Sequence, residues 1–404
     1  MEIRMLKPDE VVQLNMLSSV CFVYEYKDYE DDLKEPSEHS EGYERSLGGF
    51  DEHGNMICGL QMIPFEMNFD GHTVKMCGIG GVVTAPEARG TGAMGKVFAE
   101  CLRMMREQGY LFSTLYPFSY AYYRKSGYEL AYSKRTTTVP MSCFRKYPYP
   151  KDTKVKPWKK GDDPSDLKAI YDKFREGRNY AIKRDDNSWK EISERAEPYK
   201  KLFYTYIHYD SDGKPDSYLM FKASKLDEDH GKIINISELA WTTKEGLYAM
   251  FGFIGGLSPS FSEIKWDVPY DLDLGSMFPE GWDVATHCHT SIMTRIMDVS
   301  AVLNLLKAPI TQSGKVAIKV VDKSMPCNDG IYSISWENGN LNAEKVSTEI
   351  SPDMSTSVEA LAQLVIGYAN PDIAQYRQDT TIHGNREALD ALFAKKNLYL
   401  WESF

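Results

Sequence analysis

The chain has 404 residues, more than one hydrophobic core usually supports, so two or three domains are expected. Its 42% hydrophobic and 26% charged content is that of a globular protein, and a net charge of −11 opposes a nucleic-acid-binding role, which needs a basic face. The same negative field suits a small cationic substrate by raising its local concentration.

The N-terminal stretch MEIRMLKPDEVVQLNMLSSVCF places acids and polar residues where a signal peptide needs an unbroken apolar core. No run approaches membrane-spanning length. The seven cysteines (Cys21, Cys58, Cys77, Cys101, Cys143, Cys288, Cys327) never fall in C-x-x-C spacing. Reduced thiols in a cytoplasmic protein are expected, with neither a disulfide framework nor a zinc site. Pro8-Asp9-Glu10 opens a helix with Leu14, Leu17, Val20 and Cys21 on one face. Residues 24–46 are acidic and aromatic together. They read either as a solvated helix and loop, or as a wall of a substrate site where Glu25, Asp28 and neighbouring tyrosines receive an amine-rich ligand. Two hairpins turn at Asp51-Glu52-His53-Gly54 and at Asp70-Gly71.

Residues 76–129 carry the chemistry. Ile79, Val82 and Val83 form a β-prone run interrupted by Gly78, Gly80 and Gly81, which marks a bulge or a close backbone approach by a ligand. Arg89-Gly90-Thr91-Gly92 then opens a helix with Val97, Phe98, Cys101, Leu102 and Met105 at helical spacing. Gly109 stops that helix and Tyr110-Leu111-Phe112 begins a strand. A glycine turn feeding a helix N-terminus leaves N–H groups free and favours an anion, with Arg89 adding a fixed charge. The physical reading is a pyrophosphate cradle beside a strand with free backbone groups. A dinucleotide turn would need its glycines directly after a strand, and Ala85-Pro86-Glu87 intervenes.

Five prolines among lysines make residues 140–164 a domain boundary. Beyond it, a helix at Asp163-Pro164, three strand-like runs and a helix from Lys244 repeat the first domain's order without its glycine turn. The repeat reads as degenerate and non-catalytic. His287 and His289 alternate on a strand, and no third ligand is suggested, so a surface pair is expected there and not a metal site. The last domain starts near Ser291, with a helix at 298–306, a strand at 316–321, a hairpin through Asn338-Gly339 and two further helices. It ends in an apolar, strand-like run through Trp401 and Phe404, an ending that implies a held carboxylate.

The turn Arg89-Gly90-Thr91-Gly92-Ala93-Met94-Gly95 resembles the acetyl-CoA-binding motif of the GNAT superfamily, with Met94 in place of a small residue. With the segment LYPFSYAYYRKSGYE (115–129) and the terminal Phe404, the whole chain resembles the Eis (enhanced intracellular survival) family of N-acetyltransferases. The resemblance implies an α+β fold of tandem GNAT domains, at 1–145 and 146–290, followed by a sterol-carrier-like domain at 291–404. It implies direct transfer of an acetyl group from acetyl-CoA to a substrate amine, with Tyr123 as general acid and the Phe404 carboxylate as base. Glu402 is the rival carboxylate, and the substrate side would include Glu25 and Asp28. Acetyl-CoA would contact Val82, Val83 and Thr84 with its pantetheine and residues Gly90, Thr91, Gly92, Ala93, Met94 and Gly95, supported by Arg89, with its pyrophosphate. Phe118 and Ser119 would close the thioester end. The resemblance also implies a homo-oligomer, a hexamer by family pattern, and polycationic acceptors of the aminoglycoside kind; lysine side chains and polyamines are the alternative acceptors. A lipid- or sterol-binding carrier and a CoA-sensing regulator without turnover are the competing readings, and neither needs Tyr123.

Overall fold

The computed structural model describes all residues except 36–41, 152, 226–230 and 347–349, so part of the acidic stretch 24–46 lies outside the described residues. The chain divides into two compact units: Met1–Tyr132 with Ser291–Lys396 and Glu402–Phe404, and Ser133–Thr290 with Asn397–Trp401.

In the first unit the strands Glu2–Met5, Ser46–Phe50, Met56–Phe69 and His72–Thr84 pair antiparallel in that order. The hairpin between the last two turns on Asp70 (φ 49°) and Gly71 (φ 87°), both left-handed as a two-residue turn requires. Strand Phe112–Leu115 then joins His72–Thr84 in parallel, after the crossover helix Ala93–Glu107. That helix presents Val97, Phe98, Cys101, Leu102 and Met105 to Leu47, Leu60, Met62, Cys77 and Ile79. Helix Val11–Phe22 covers the opposite face, where Leu14 packs with Leu6, Phe50, Met56 and Val83. The sheet is thus buried on both faces, which explains its near-continuous apolar strands.

The same unit contains a five-stranded sheet ordered Asn340–Val346, Gly330–Glu337, Gly314–Val321, Met354–Ser357 and Thr380–Ile382. Helix Val358–Ile366, capped by Ser357, is buried along almost its whole length, and Arg386–Leu392 is the last helix.

The second unit repeats the topology of the first sheet. Strands Lys154–Trp158, Phe203–Tyr209, Pro215–Lys225 and Lys232–Trp241 run antiparallel, and Glu263–Asp267 adds in parallel after helix Lys244–Gly256. Lys154–Trp158, inside the proline-rich stretch 140–164, is a strand. Among the described residues it pairs with Phe203–Tyr209 alone, an edge position that tolerates Pro157. One sequence expectation needs correction: the C-terminal run is not a strand, and beyond one bridge between Asn179 and Leu398 it is irregular, held by side chains.

Candidate active site

The parallel pairing of His72–Thr84 with Phe112–Leu115 runs from Met76 opposite Phe112 to Ile79 opposite Leu115 and goes no further. His72–Thr84 continues on its other side, where Gly80 faces Gln61 and Val83 faces Gly59. Gly81 and Val82 together oppose the single residue Leu60, a bulge in which Gly81 takes φ 55°. The two parallel strands therefore part at Ile79, and the edge from Gly80 to Thr84 is left without a strand on that side among the described residues.

Beside this parting lies the glycine turn. Gly90 (φ 79°) and Gly92 (φ 81°) are left-handed, and Gly92 caps the helix Ala93–Glu107. A Cβ added at Gly90, Gly92 or Gly95 would meet nothing within 4 Å, so the turn opens onto free space. The Thr91 hydroxyl donates to the Ala88 carbonyl (2.7 Å) and accepts the Ala93 N–H (3.4 Å), which stiffens the turn. The helix ladder begins with the Lys96 N–H on the Gly92 carbonyl, so the N–H groups of Met94 and Gly95 precede it. Arg89 is exposed at the turn, with a guanidinium nitrogen 3.8 Å from Cys21 Sγ. Free N–H groups at a helix N-terminus beside a guanidinium suit an anion in chemical terms. Ala93 and Met94 turn their side chains into the core, so only their backbone can face a ligand; Val83 is buried under the first helix.

Tyr123 stands on the short helix Tyr120–Arg124, capped by Ser119, whose hydroxyl accepts the Tyr122 N–H at 3.3 Å. Its ring packs against Phe98, Phe118, Tyr122 and Tyr128 at centroid distances of 5.2–6.3 Å. Val82 and Met94 belong to the same cluster. Among the described residues its hydroxyl has no hydrogen-bond partner, and burial, with Tyr122 adding, pushes the phenol well above its ordinary pKa. It stays a neutral donor. Phe118, beside it, is largely exposed.

Beyond Tyr123, the segment 124–129 is scaffold. Gly127 (φ 78°) closes the turn, and the Tyr128 and Ser113 hydroxyls are 2.6 Å apart in the core. Glu129 is buried, which alone would raise its pKa. The Arg124 pair (2.8 Å), the Leu130 N–H and the Arg377 charge outweigh that and hold it below the ordinary carboxylate value.

Residue 404 reaches this sheet. The Phe404 ring lies between Phe65 (5.2 Å) and Tyr116 (5.3 Å), and the Tyr116 hydroxyl donates to the Glu402 carbonyl at 2.6 Å. A Cβ at Gly78 would come 2.8 Å from the Phe404 ring, and one at Gly80 would come 3.4 Å from the Phe404 carboxyl carbon. The glycines do mark a close approach, but at Gly78 and Gly80 the visitor is the chain's own C-terminus. Sequence reasoning missed Tyr116 and Phe65. The alternation of glycines was the available signal, and nothing local names the partner. The Glu402 side chain is buried. Glu25 and Asp28 are exposed after the first helix, and no hydrogen bond or ion pair joins them to Tyr123 or Phe404 among the described residues.

The second unit differs at the corresponding places. At its crossover helix Thr243 accepts the Gly246 N–H (3.0 Å), and the Asp216 carboxylate would lie 2.7 Å from a Cβ on Gly246. That helix end is thus filled by protein groups, the Asp216 carboxylate also meeting His208 Nδ1 (2.6 Å) and accepting from the Thr243 hydroxyl (3.0 Å). Its strands Lys232–Trp241 and Glu263–Asp267 also part, after Ile236 opposite Trp266. There the Tyr399 hydroxyl donates to Glu238 and the Trp401 indole N–H donates to the Ser237 carbonyl at 2.6 Å.

Residues 2–131 and 181–296 each match an acetyltransferase (GNAT) domain family, and residues 299–401 match the sterol carrier protein domain. The chain is a GNAT-class N-acetyltransferase with tandem GNAT domains and a sterol-carrier-like third domain. The fold is shared with Eis1 from Mycobacterium abscessus (TM-score 0.80, 20% identity, 100% of both chains). It is shared too with a GCN5-related N-acetyltransferase from Anabaena variabilis (TM-score 0.85, 22% identity, 100% of both chains). A probable N-acyltransferase from Enterococcus faecalis gives a TM-score of 0.79 at 21% identity, over 98% of this chain and 97% of that one. No curated protein matches. Among the described residues no helix is long and apolar enough to cross a membrane.

Proposed function

We propose that the chain transfers the acetyl group of acetyl-CoA directly to an amine of a polycationic small molecule, of the aminoglycoside kind, in a ternary complex. The observation that carries this is the parting of His72–Thr84 from Phe112–Leu115 directly beside an open glycine turn at a long helix's N-terminus. An extended pantetheine pairs with the free edge at Val82, Val83 and Thr84. The pyrophosphate sits on the backbone of residues 90–95 with Arg89 adding charge. A backbone N–H near Val82 polarises the acetyl carbonyl, with Phe118 and Ser119 at the thioester end. The Tyr123 hydroxyl donates a proton or hydrogen bond to the leaving thiolate, which its neutral state allows. The Phe404 carboxylate takes the amine proton, directly or through water. An α-carboxylate is a weak base, with a reference pKa of roughly 3.3–3.7, so it also orients the neutral amine. Glu402 is the substitute if it does not.

On the substrate side, Glu25 and Asp28 stand in a surface that mixes acids with the exposed Phe22, Val23, Tyr24 and Tyr29. Charge and cation–π contact there suit a polyamine-like acceptor. Lysine side chains and linear polyamines fall within the same chemistry. Assembly as a homohexamer and a cytoplasmic location complete the proposal; sedimentation of the purified chain as a monomer would remove the first. The function is tested by thiol release from acetyl-CoA in the presence of kanamycin, spermidine and a lysine peptide. Turnover with at least one is expected. Acetyl-CoA binding without turnover across a broad amine panel would favour a CoA sensor.

A further inference from the structure

The slot around residue 404 is built, and its parts are conspicuous only in three dimensions. Its floor is two residues without side chains, Gly78 and Gly80, on the strand His72–Thr84. At Gly78 a methyl group would collide with both the Phe404 and Phe65 rings, at 2.8 and 2.9 Å. At Gly80 it would meet Ile63 at 3.2 Å and the carboxyl carbon of residue 404 at 3.4 Å. Two aromatic walls close on the Phe404 ring from Phe65 and Tyr116. Tyr116 directly follows the strand Phe112–Leu115, so it stands where that strand leaves its partner. Its hydroxyl grips the backbone two residues before the terminus, at the Glu402 carbonyl.

We infer that Tyr116, with the Gly78/Gly80 floor, is the positioning residue that seats the C-terminal aromatic residue and fixes its carboxylate at the parting of the sheet. The inference rests on the acetyl-transfer reading for what the carboxylate then does, but not for the seating itself. A side chain with a ring and no hydroxyl would keep the wall and lose the grip. A carboxylate at the end of a free chain samples many positions, whereas a base must stay within hydrogen-bond reach of the proton it takes. Tyr116 therefore acts through residue 404.

The test uses two readouts on the full chain. One is release of Phe404 by carboxypeptidase A, followed by mass spectrometry, which reports seating without any turnover. The other is kcat and KM for acetyl-CoA in the thiol-release assay. Tyr116→Phe removes one neutral hydrogen bond, so about a five- to tenfold faster release of Phe404 is expected. A comparable fall in kcat is expected, with KM for acetyl-CoA unchanged. Gly78→Ala should give a larger effect of the same kind, and Tyr116→Phe keeps the question open to refutation if that variant fails to fold. Release of Phe404 at the wild-type rate from Tyr116→Phe overturns the inference. Faster release with unchanged kcat in an active enzyme also overturns it, since the seating would then serve no catalytic purpose. A wild-type chain without turnover defeats the acetyl-transfer reading instead, and the release rates still decide the seating.

Discussion

Replacing Tyr123 by phenylalanine separates chemistry from packing. The ring is buried among Phe98, Phe118, Tyr122 and Tyr128, and phenylalanine keeps each of those contacts. The hydroxyl has no hydrogen-bond partner among the described residues, so its removal leaves no protein group unsatisfied. The melting temperature should therefore stay within a degree or two, roughly the effect of half a kcal/mol in a chain of this size. The rate should not. A positioned general acid is worth about 10²–10⁴-fold, and a thiolate leaves readily, so the low end applies: kcat falls about 100-fold. KM for acetyl-CoA should hold, because the cradle at Gly90–Gly95 is untouched. Tyr122→Phe is the control, since its ring lies beside Tyr123 but it has no assigned role. The assay is thiol release under saturating acetyl-CoA, with melting followed in parallel. A Tyr123→Phe enzyme with kcat within twofold of wild type would refute the acid assignment.

Three further outcomes are expected. Gly92→Ala forces a left-handed residue at φ 81° in space that holds no clash, so it should cost about 1 kcal/mol of stability by strain. It should also raise KM for acetyl-CoA severalfold with a smaller change in kcat, read from initial rates. Glu238→Gln leaves the buried Arg184 without its two-bond partner (2.8 and 2.9 Å) and weakens the Tyr218 and Tyr399 contacts. Breaking such a pair costs about 3–5 kcal/mol, so a calorimetric scan should show the largest loss of melting temperature among these variants. The third concerns acid. Glu129 sits below the ordinary 4.5 in the fold, so its contribution to stability is complete above that pH and is lost as pH falls through the lower, folded value. Glu129→Gln should flatten the decline in melting temperature between about pH 5 and pH 3; an unchanged slope would remove Glu129 as a source of acid sensitivity.

Much of this was legible in the chain because punctuation is local. Asp70-Gly71, Gly92 and Gly109 mark turns and helix ends by conformations that few other residues adopt, and each falls where the structure turns. The helix Ala93–Glu107 was legible from its apolar spacing. Helix Asp186–Arg195 was not, since only Trp189 and Ile192 are buried and the rest is polar. The strand Lys154–Trp158 was hidden by Pro157, which an edge strand accepts. The slot for Phe404 was legible only in part: the glycines signalled a close approach, but the occupant comes from the far end of the chain, remote in sequence from the Tyr116 wall. The open space around the glycines of the first helix end, against the Asp216 carboxylate at the second, likewise shows only in three dimensions. The sequence pointed to a repeat without a glycine turn. In the structure that second helix end is taken up by Thr243 and Asp216.

The central claim is direct acetyl transfer to an amine. Initial rates with acetyl-CoA and the best acceptor varied together, alongside mass spectrometry of protein and amine after one turnover, test it most directly. The account predicts intersecting double-reciprocal lines, with the acetyl group found on the amine alone. Parallel lines with an acetylated protein, or no amine-dependent thiol release at all, would contradict it.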